Sequence, residues 1–278
     1  MGESRKDDMK KQNLIKLVCL GVVAILAYIP TFIWMVDRWN EKDTYYSHGF
    51  LVPFICLFMV WLKRKELAKI KLQPAKIGWA FFISGIIIHA ISALWRIYFT
   101  SGFSLLPVII GLILLLGGKE YLRQLWFAVL FIVFMIPLPL IAIANISFKL
   151  KIFAASVSTV IINSLGVPAI QDGSIIKTRH AYLIVEDPCS GIRSLIALIA
   201  LGALMAYLSH NSRVKKSILF LSSIPIAISS NILRIVSLGL VSEIYGSKYA
   251  GGIFHDTMGV MVFVFAFAGL SLVAKILE

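Results

Sequence analysis

VEDPCSGIRSLIALIALGALMAYL, residues 185–208, joins a short polar segment to an apolar run of about membrane length. Cys189 stands at the junction, and Arg193 follows four residues later. About twenty mainly apolar residues are needed for a helix to cross the roughly 30 Å of hydrocarbon in a bilayer. The stretch therefore predicts a membrane-spanning helix that opens with a thiol.

The composition extends this prediction to the whole chain. Of 278 residues, 59% are hydrophobic and 15% are charged, and the mean hydropathy is +0.88, which indicates a polytopic membrane protein. The net charge of +13 comes from short basic clusters between apolar runs, so we expect orientation signals and no nucleic-acid partner. Three cysteines are an odd number, and Cys19 and Cys56 lie inside apolar runs, so paired disulfides are not expected.

Eight apolar runs are predicted to span the membrane. They cover residues 14–36, 46–62, 77–95, 101–117, 122–144, 189–208, 214–241 and 257–277. Pro137 and Pro139 should kink or end the fifth helix near its far side. We expect residues 1–278 to form one all-α integral membrane domain of eight transmembrane helices.

Lysine and arginine gather in residues 1–16, 63–76, 119–123 and 213–216. The positive-inside rule makes these segments cytoplasmic, with both termini, and makes residues 37–48 and 242–256 extracytoplasmic. This orientation holds only if residues 147–165 do not cross the membrane.

An outer-face insert is predicted over residues 147–188. Its first part, 147–165, contains Lys149, Lys151 and Asn163, and its apolar residues fall on one face of a helix, which favours an amphipathic helix along the membrane surface. Residues 169–176 and 181–185 are rich in β-formers and predict a small β-hairpin that ends just before Cys189.

Cys189 has a sequence context that favours a reactive thiolate. Asp187 suits a helix N-cap and Pro188 the first helical position, which would put the thiol in the first turn, near unpaired N–H groups. Arg193 would then lie on the same face and add positive potential. Glu186 and Asp187 oppose the effect, and a structural cysteine remains the alternative.

Arg234 interrupts the seventh run, one turn after Asn231 and about 10 Å from the outer end of the span at 1.5 Å per residue. Burying a guanidinium in a membrane costs at least a few kcal/mol unless it is paired or hydrated, which indicates a functional residue. The alternatives are a side chain that reaches the surface or that pairs with Glu243.

Histidines occur at two of the predicted outer helix ends. His255 precedes Asp256 at the start of the last span, where an imidazole can exchange protons near neutral pH while Asp256 fixes its tautomer or caps the helix. His48, in YYSHGFLVP, is equally ambiguous. Each is alternatively a polar residue with no chemical role.

A thiol, a guanidinium and an imidazole at one membrane face supply the parts for acyl transfer. The thiolate attacks a carbonyl, the guanidinium stabilises the oxyanion, and the imidazole protonates the leaving amine. The sequence contains no HExxH, paired intramembrane aspartates, GxSxG or Walker pattern, so we expect no metal and no cofactor.

Four motifs in order resemble the exosortase/archaeosortase family of polytopic membrane cysteine transpeptidases. They are YYSHGFLVPFICLFMVW, PCSGIRSL, NILRI and FHDTMGVMVF. The resemblance implies a catalytic set of Cys189 as nucleophile, Arg234 as oxyanion stabiliser and His255 as general acid and base, the histidine being similar to the bacterial exosortase version. Supporting or substrate-binding candidates are Arg193, Asn231, Asp256 and His48.

The resemblance also implies the partners and the location. Substrates would be exported proteins with a C-terminal sorting signal, made of a short motif such as Pro-Glu-Pro, a membrane helix and a basic tail. The enzyme would cleave near the motif at the extracytoplasmic face of the cytoplasmic (inner) membrane and pass the product to a cell-surface acceptor. The residues alone leave two alternatives: a transporter that binds an anionic substrate through Arg193, Arg234 and His255, and a noncatalytic subunit of polysaccharide assembly.

Overall fold

The apolar runs fold into helices and a short β-rich segment folds into a small sheet, so the chain is a mostly helical membrane protein. The computed structural model describes residues 18–41, 44–185, 191–246 and 252–278, without the side chains of residues 253 and 256. It divides into two compact units, Met1–Leu138 and Pro139–Glu278.

The described part of the first unit is helical. Its elements are α1 (Val18–Ala27), α2 (Ile29–Asn40), α3 (Leu51–Leu62), α4 (Arg64–Leu67), α5 (Gly78–Leu94), α6 (Tyr98–Leu116), α7 (Lys119–Phe131) and a 3-10 turn, Ile132–Met135. Helices α1 and α2 meet at a bend of 50°. Pro30, at the start of α2, has no N–H to continue the ladder of α1, which accounts for the break.

Helices α5 and α6 approach closely because glycines line their contact. A Cβ on Gly111 would lie 2.5 Å from the backbone nitrogen of Phe82, and one on Gly85 would lie 2.6 Å from Cγ2 of Val108. Small residues allow such close backbone contact between membrane helices, where apolar burial alone gives little drive for association.

The second unit combines four helices with the sheet among its described residues. The elements are α8 (Leu140–Ser164), β1 (Ala169–Asp172), β2 (Ile175–Thr178), β3 (Tyr182–Ile184), α9 (Ile192–Leu208), α10 (Arg213–Tyr245) and α11 (Gly252–Leu277). The predicted hairpin is a three-stranded antiparallel sheet in the order β1-β2-β3. The prediction merged β1 and β2, which are separated by a tight turn at Gly173 with φ of +60°.

Helices α9 and α11 both run antiparallel to α10. Gly191 lies opposite Asn231 and Gly202 opposite Ser223, so the sequence order on α9 runs against that on α10. In the same way Gly259 lies opposite Arg234, and Gly269 lies opposite Ile226. The packing therefore brings the beginnings of α9 and α11 beside the middle of α10.

The number of membrane spans differs from the prediction. Among the described residues, four helices are long and apolar enough to cross a membrane: α6, α8, α10 and the Thr257–Leu277 part of α11. A fifth span results if the bent pair α1 and α2 counts as one, while α3, α5 and α9 are apolar but shorter. Eight spans are thus not confirmed.

The largest change of boundaries surrounds Pro137 and Pro139. The predicted span 122–144 is wrong as one helix, because α7 and the 3-10 turn end at Met135 and α8 begins at Leu140. The prolines end the helix as expected, since they remove backbone donors. The predicted surface helix 147–165 is the larger part of α8, whose length and hydropathy suit a membrane span.

Candidate active site

Helix α10 presents two buried polar side chains on one face. Asn231 and Arg234 are three residues apart and expose only 3% and 9% of their surface. The helix continues to Tyr245, four residues beyond the predicted end at 241, so Arg234 lies eleven residues from its end instead of seven. A buried guanidinium rules out the alternative in which Arg234 reaches the surface.

Arg234 and His255 are in direct contact. His255 lies in the first turn of α11. Nη2 of Arg234 is 2.9 Å from Nε2 of His255 and 3.5 Å from the backbone oxygen of His255. Because a guanidinium has no acceptor, it donates and Nε2 of the imidazole accepts. Gly259, one turn further along α11, faces the same guanidinium, since a Cβ there would lie 3.7 Å from Nη2.

The guanidinium retains a free donor. Nε of Arg234 is buried and has no hydrogen-bond partner within the described parts of the chain. Such a donor is costly to leave unpaired in a low-dielectric interior, so its retention favours a role in binding.

Glu243 is not the partner of Arg234 that the sequence allowed. Its Oε2 accepts a hydrogen bond of 3.0 Å from the backbone N–H of His180. Glu243 thereby fastens the turn between β2 and β3 to the end of α10.

The sheet packs against the same stretch of α10. Ile176 and Val185 belong to one buried cluster with Ile235 and Val236, the two residues that follow Arg234. The backbone N–H of Val185 also donates to the oxygen of Ser174. Val185, the last described residue before the segment 186–190, is therefore fixed beside Arg234's own helix.

The other side of that segment is anchored at Asn231. Gly191 caps α9 with φ of +84°, and a Cβ there would lie 2.7 Å from Nδ2 of Asn231. Helix α9 begins at Ile192, three residues later than predicted. Cys189 itself lies outside the described residues, but the chain on both sides of 186–190 packs on the turns of α10 around Arg234.

Arg193 occupies the first turn of α9, and its Nε and Nη2 atoms are buried. The expected relation between Cys189 and Arg193 on one helical face involves a residue outside the described part of the chain. The side chain of Asp256, like Cys189, lies outside the described residues.

His48 belongs to the first unit. It lies in the turn before α3, where its ring stacks on Tyr46 at a centroid distance of 5.9 Å and its ring nitrogens are buried. The adjacent Gly49 packs on Trp39, whose Nε1 donates to the oxygen of Met135. The histidine motif thus fixes the fold of the first unit around the break after α7.

Sequence reasoning found the polar residues of the site but missed the glycine and the carboxylate that anchor the chain around them. Gly191 is two residues from Cys189, and its closeness to that candidate was the available signal. The anchoring role of Glu243 had no such signal, because it depends on a turn 63 residues away.

Comparison with protein families identifies the family of the chain. Residues 39–272, which include the four motifs, match the model of the transmembrane exosortase family. The chain belongs to the transmembrane exosortase family, and this membership supports a membrane cysteine transpeptidase as its general class. Neither the search of curated proteins nor that of solved structures gives a match.

Proposed function

We propose that the chain cleaves a C-terminal sorting signal from exported proteins and transfers them to a cell-surface acceptor, with Cys189 as nucleophile. The observation that carries the proposal is the contact of 2.9 Å between Arg234 and His255, which lies next to Asn231 and between the two anchors of the segment 186–190. Cationic, imidazole and thiol groups are the set that acyl transfer requires.

The first half of the reaction forms a thioester. The Cys189 thiolate attacks the scissile carbonyl, and Nε of Arg234, the donor left without a partner among the described residues, donates to the oxyanion. The C–N bond then breaks, and a protonated His255 gives its proton to the leaving amine. To carry that proton on Nε2, the imidazole gives up its hydrogen bond from Arg234 and contacts the leaving amine of the substrate.

The second half regenerates the thiol. His255 takes a proton from the acceptor nucleophile, which attacks the thioester carbonyl and forms the new acyl bond while the sulfur leaves as thiolate. We assign Asn231, Arg193 and Asp256 to positioning or substrate binding, while a role for His48 of the first unit stays a prediction from the resemblance. No cofactor is required, because each step moves only protons and one acyl group.

We keep the predicted single domain of eight spans, with cytoplasmic termini and the site at the extracytoplasmic face of the inner membrane, as part of the proposal. A reporter at Gly173 or after Gly246 should read extracytoplasmic, and one in residues 211–216 should read cytoplasmic. A cytoplasmic reading at Gly173 would mean that α8 crosses and would place the sheet on the wrong side of the membrane for exported substrates.

The nucleophile is tested by substitution of each cysteine. A co-expressed exported reporter with a Pro-Glu-Pro-type signal should remain uncut with Cys189→Ala, because no other described thiol lies in the site. Cys19→Ala, at an exposed position, and Cys56→Ala, which removes a buried thiol bonded to the oxygen of Ala128, are matched controls and should retain cleavage.

Cleavage by a well-expressed Cys189→Ala protein would contradict the proposal. The transporter and the noncatalytic subunit both predict no cleavage of the reporter by either the wild-type or the Cys189→Ala protein, since neither is a peptidase.

A further inference from the structure

Two basic segments, separated by more than forty residues of sequence, meet at one end of the first unit. One is residues 63–76, which includes α4, and the other is the start of α7. Together they contribute a basic surface made of Lys63, Arg64, Lys65, Lys69, Lys71, Lys76, Lys119 and Arg123.

Backbone contacts hold the two segments together. Gln73 pairs with Gly118 as a parallel β-bridge, and the N–H of Ala75 donates to the oxygen of Leu114 over 2.9 Å. Gly118 has φ of +91° and no room for a side chain beside Gln73. The hydroxyl of Tyr121 donates to the oxygen of Leu67 over 3.0 Å. Residues 63–76 therefore form a well-defined loop that packs against the junction of α6 and α7.

The charges of this surface are poorly compensated. Its sequence holds eight basic residues and two acidic ones, of which Glu66 binds Lys63 and Glu120 lies 3.8 Å from Arg123. Within the described residues, no ion pair or hydrogen bond is recorded for the ammonium groups of five exposed lysines: Lys65, Lys69, Lys71, Lys76 and Lys119.

Two lysines of the second unit are arranged differently. Nζ of Lys215 donates to the oxygen of Glu278, and Nζ of Lys216 donates to the oxygen of Tyr207, both over 3.3 Å. Orientation of a span requires positive charge in the loop but does not require that the charge be left without a partner. The basic surface therefore has a binding capacity that its topological role does not explain.

Apolar and aromatic side chains accompany the free lysines. Leu72, between Lys71 and Gln73, exposes 63% of its surface, and Trp61, Trp79 and Trp126 are also exposed. The guanidinium of Arg64 lies 3.9 Å above the ring of Trp61. Tryptophan favours the headgroup level of a bilayer, and an exposed leucine favours the acyl chains just below it.

We propose that this basic surface is a binding site for the phosphate groups of anionic phospholipids, with Leu72 inserted beside their acyl chains. Ammonium groups attract anionic headgroups over a distance of about one Debye length, and each contributes measurably near a charged bilayer. The site belongs to the first unit alone and does not depend on the proposed peptidase activity.

The test measures lipid selectivity of the full-length protein in phosphatidylcholine vesicles. Spin-labelled phosphatidylglycerol should associate more strongly than spin-labelled phosphatidylcholine, and salt should weaken the preference. The double substitution Lys69→Gln with Lys71→Gln should reduce the preference on the order of tenfold, and Lys69→Arg with Lys71→Arg should retain it.

The matched control is Lys215→Gln with Lys216→Gln, which removes the same net charge from lysines that already bind carbonyl oxygens. It should leave the selectivity unchanged. Equal losses in the two Gln pairs, or a wild-type protein that shows no preference for the anionic lipid, would overturn the proposal.

Discussion

Both units bury polar side chains within apolar helices, but they satisfy them in different ways. In the first unit, Nδ1 of His89 lies 2.8 Å from the hydroxyl of Ser101, which also bonds Thr31, while Nε2 bonds the oxygen of Ala27 over 3.2 Å. In the second unit, the hydrogen bonds of Arg234 go only to His255 among the described residues, and Nε remains unpaired.

The difference separates a structural network from a reactive one. The bonds of His89 close on hydroxyls and a carbonyl at the bend between α1 and α2, so they stabilise a helix break. Arg234 carries a permanent charge in an interior that supplies too few acceptors, which is tolerated where a ligand or a transition state completes the set. Substitutions in the two networks should therefore affect different measurements.

The largest effect is expected for Arg234→Lys. An ammonium cannot reproduce both the contact with His255 and the second donor of the guanidinium. Reporter cleavage should therefore slow by an amount that corresponds to about 2–4 kcal/mol of lost transition-state stabilisation. The amount of membrane-inserted protein should stay near wild type. Unchanged cleavage by the lysine variant would reduce Arg234 to a general positive charge.

Gly191→Ala should impair both activity and stability. The new Cβ would meet Asn231 at 2.7 Å, and a left-handed conformation costs a residue with a side chain about 1–2 kcal/mol. Gly166→Ala is the matched control, because its φ of +87° is similar but no atom lies within 4 Å of the added Cβ. Thermal unfolding should detect both variants, while cleavage should fall only for Gly191→Ala; equal cleavage losses would remove the specific role of the contact.

Ser101→Ala should lower stability without a direct effect on chemistry. It removes the common partner of His89 and Thr31, and a buried polar group left unpaired costs about 1–3 kcal/mol. We expect a lower unfolding temperature and normal cleavage per folded molecule. A specific loss of catalytic rate would mean that the hydrogen bonds of Ser101 contribute to function as well as to stability.

The smallest effect is expected for Glu243, which is partly exposed. Glu243→Ala removes the acceptor of the His180 N–H and should loosen the β2–β3 turn, whereas Glu243→Gln keeps a carbonyl acceptor and should behave closer to wild type. Asp172→Asn, which breaks only the exposed pair with Lys177, is the control. We expect a modest loss of cleavage for Glu243→Ala, a smaller loss for Glu243→Gln and none for Asp172→Asn. A larger loss for Asp172→Asn than for Glu243→Ala would refute the anchoring role.

The sequence identifies the polar residues of this unit better than its geometry. Arg234 stands out because a charged residue interrupts an apolar run, and His255 because a titratable residue opens the next one. Pro188 and Gly191 are both signals for a helix start, so the sequence places the start of α9 three residues too early. The close contact of Gly191 with Asn231 favours the later start, at a glycine in the left-handed conformation.

Local patterns also misplace a boundary where long-range packing decides it. The predicted surface helix starts at residue 147, yet α8 begins at Leu140 and forms one helix of 25 residues. Its length follows from the prolines that end the preceding segment and from the burial of Ala154, Ala155 and Ile162 against the sheet and α10. None of these contacts is visible as a period of hydrophobicity.

The central claim is that the residues flanking 186–190 bring Cys189 to the Arg234–His255 pair. The most direct measurement is peptide mapping by mass spectrometry of the full-length enzyme after brief incubation with a substrate that carries the sorting signal. We predict an acyl adduct on Cys189 that hydroxylamine removes. The adduct should form more slowly in Arg234→Lys and His255→Ala, and no adduct should appear on Cys19 or Cys56. Substrate cleavage with no adduct on Cys189, or an adduct formed equally fast in the Arg234 and His255 variants, would contradict the account.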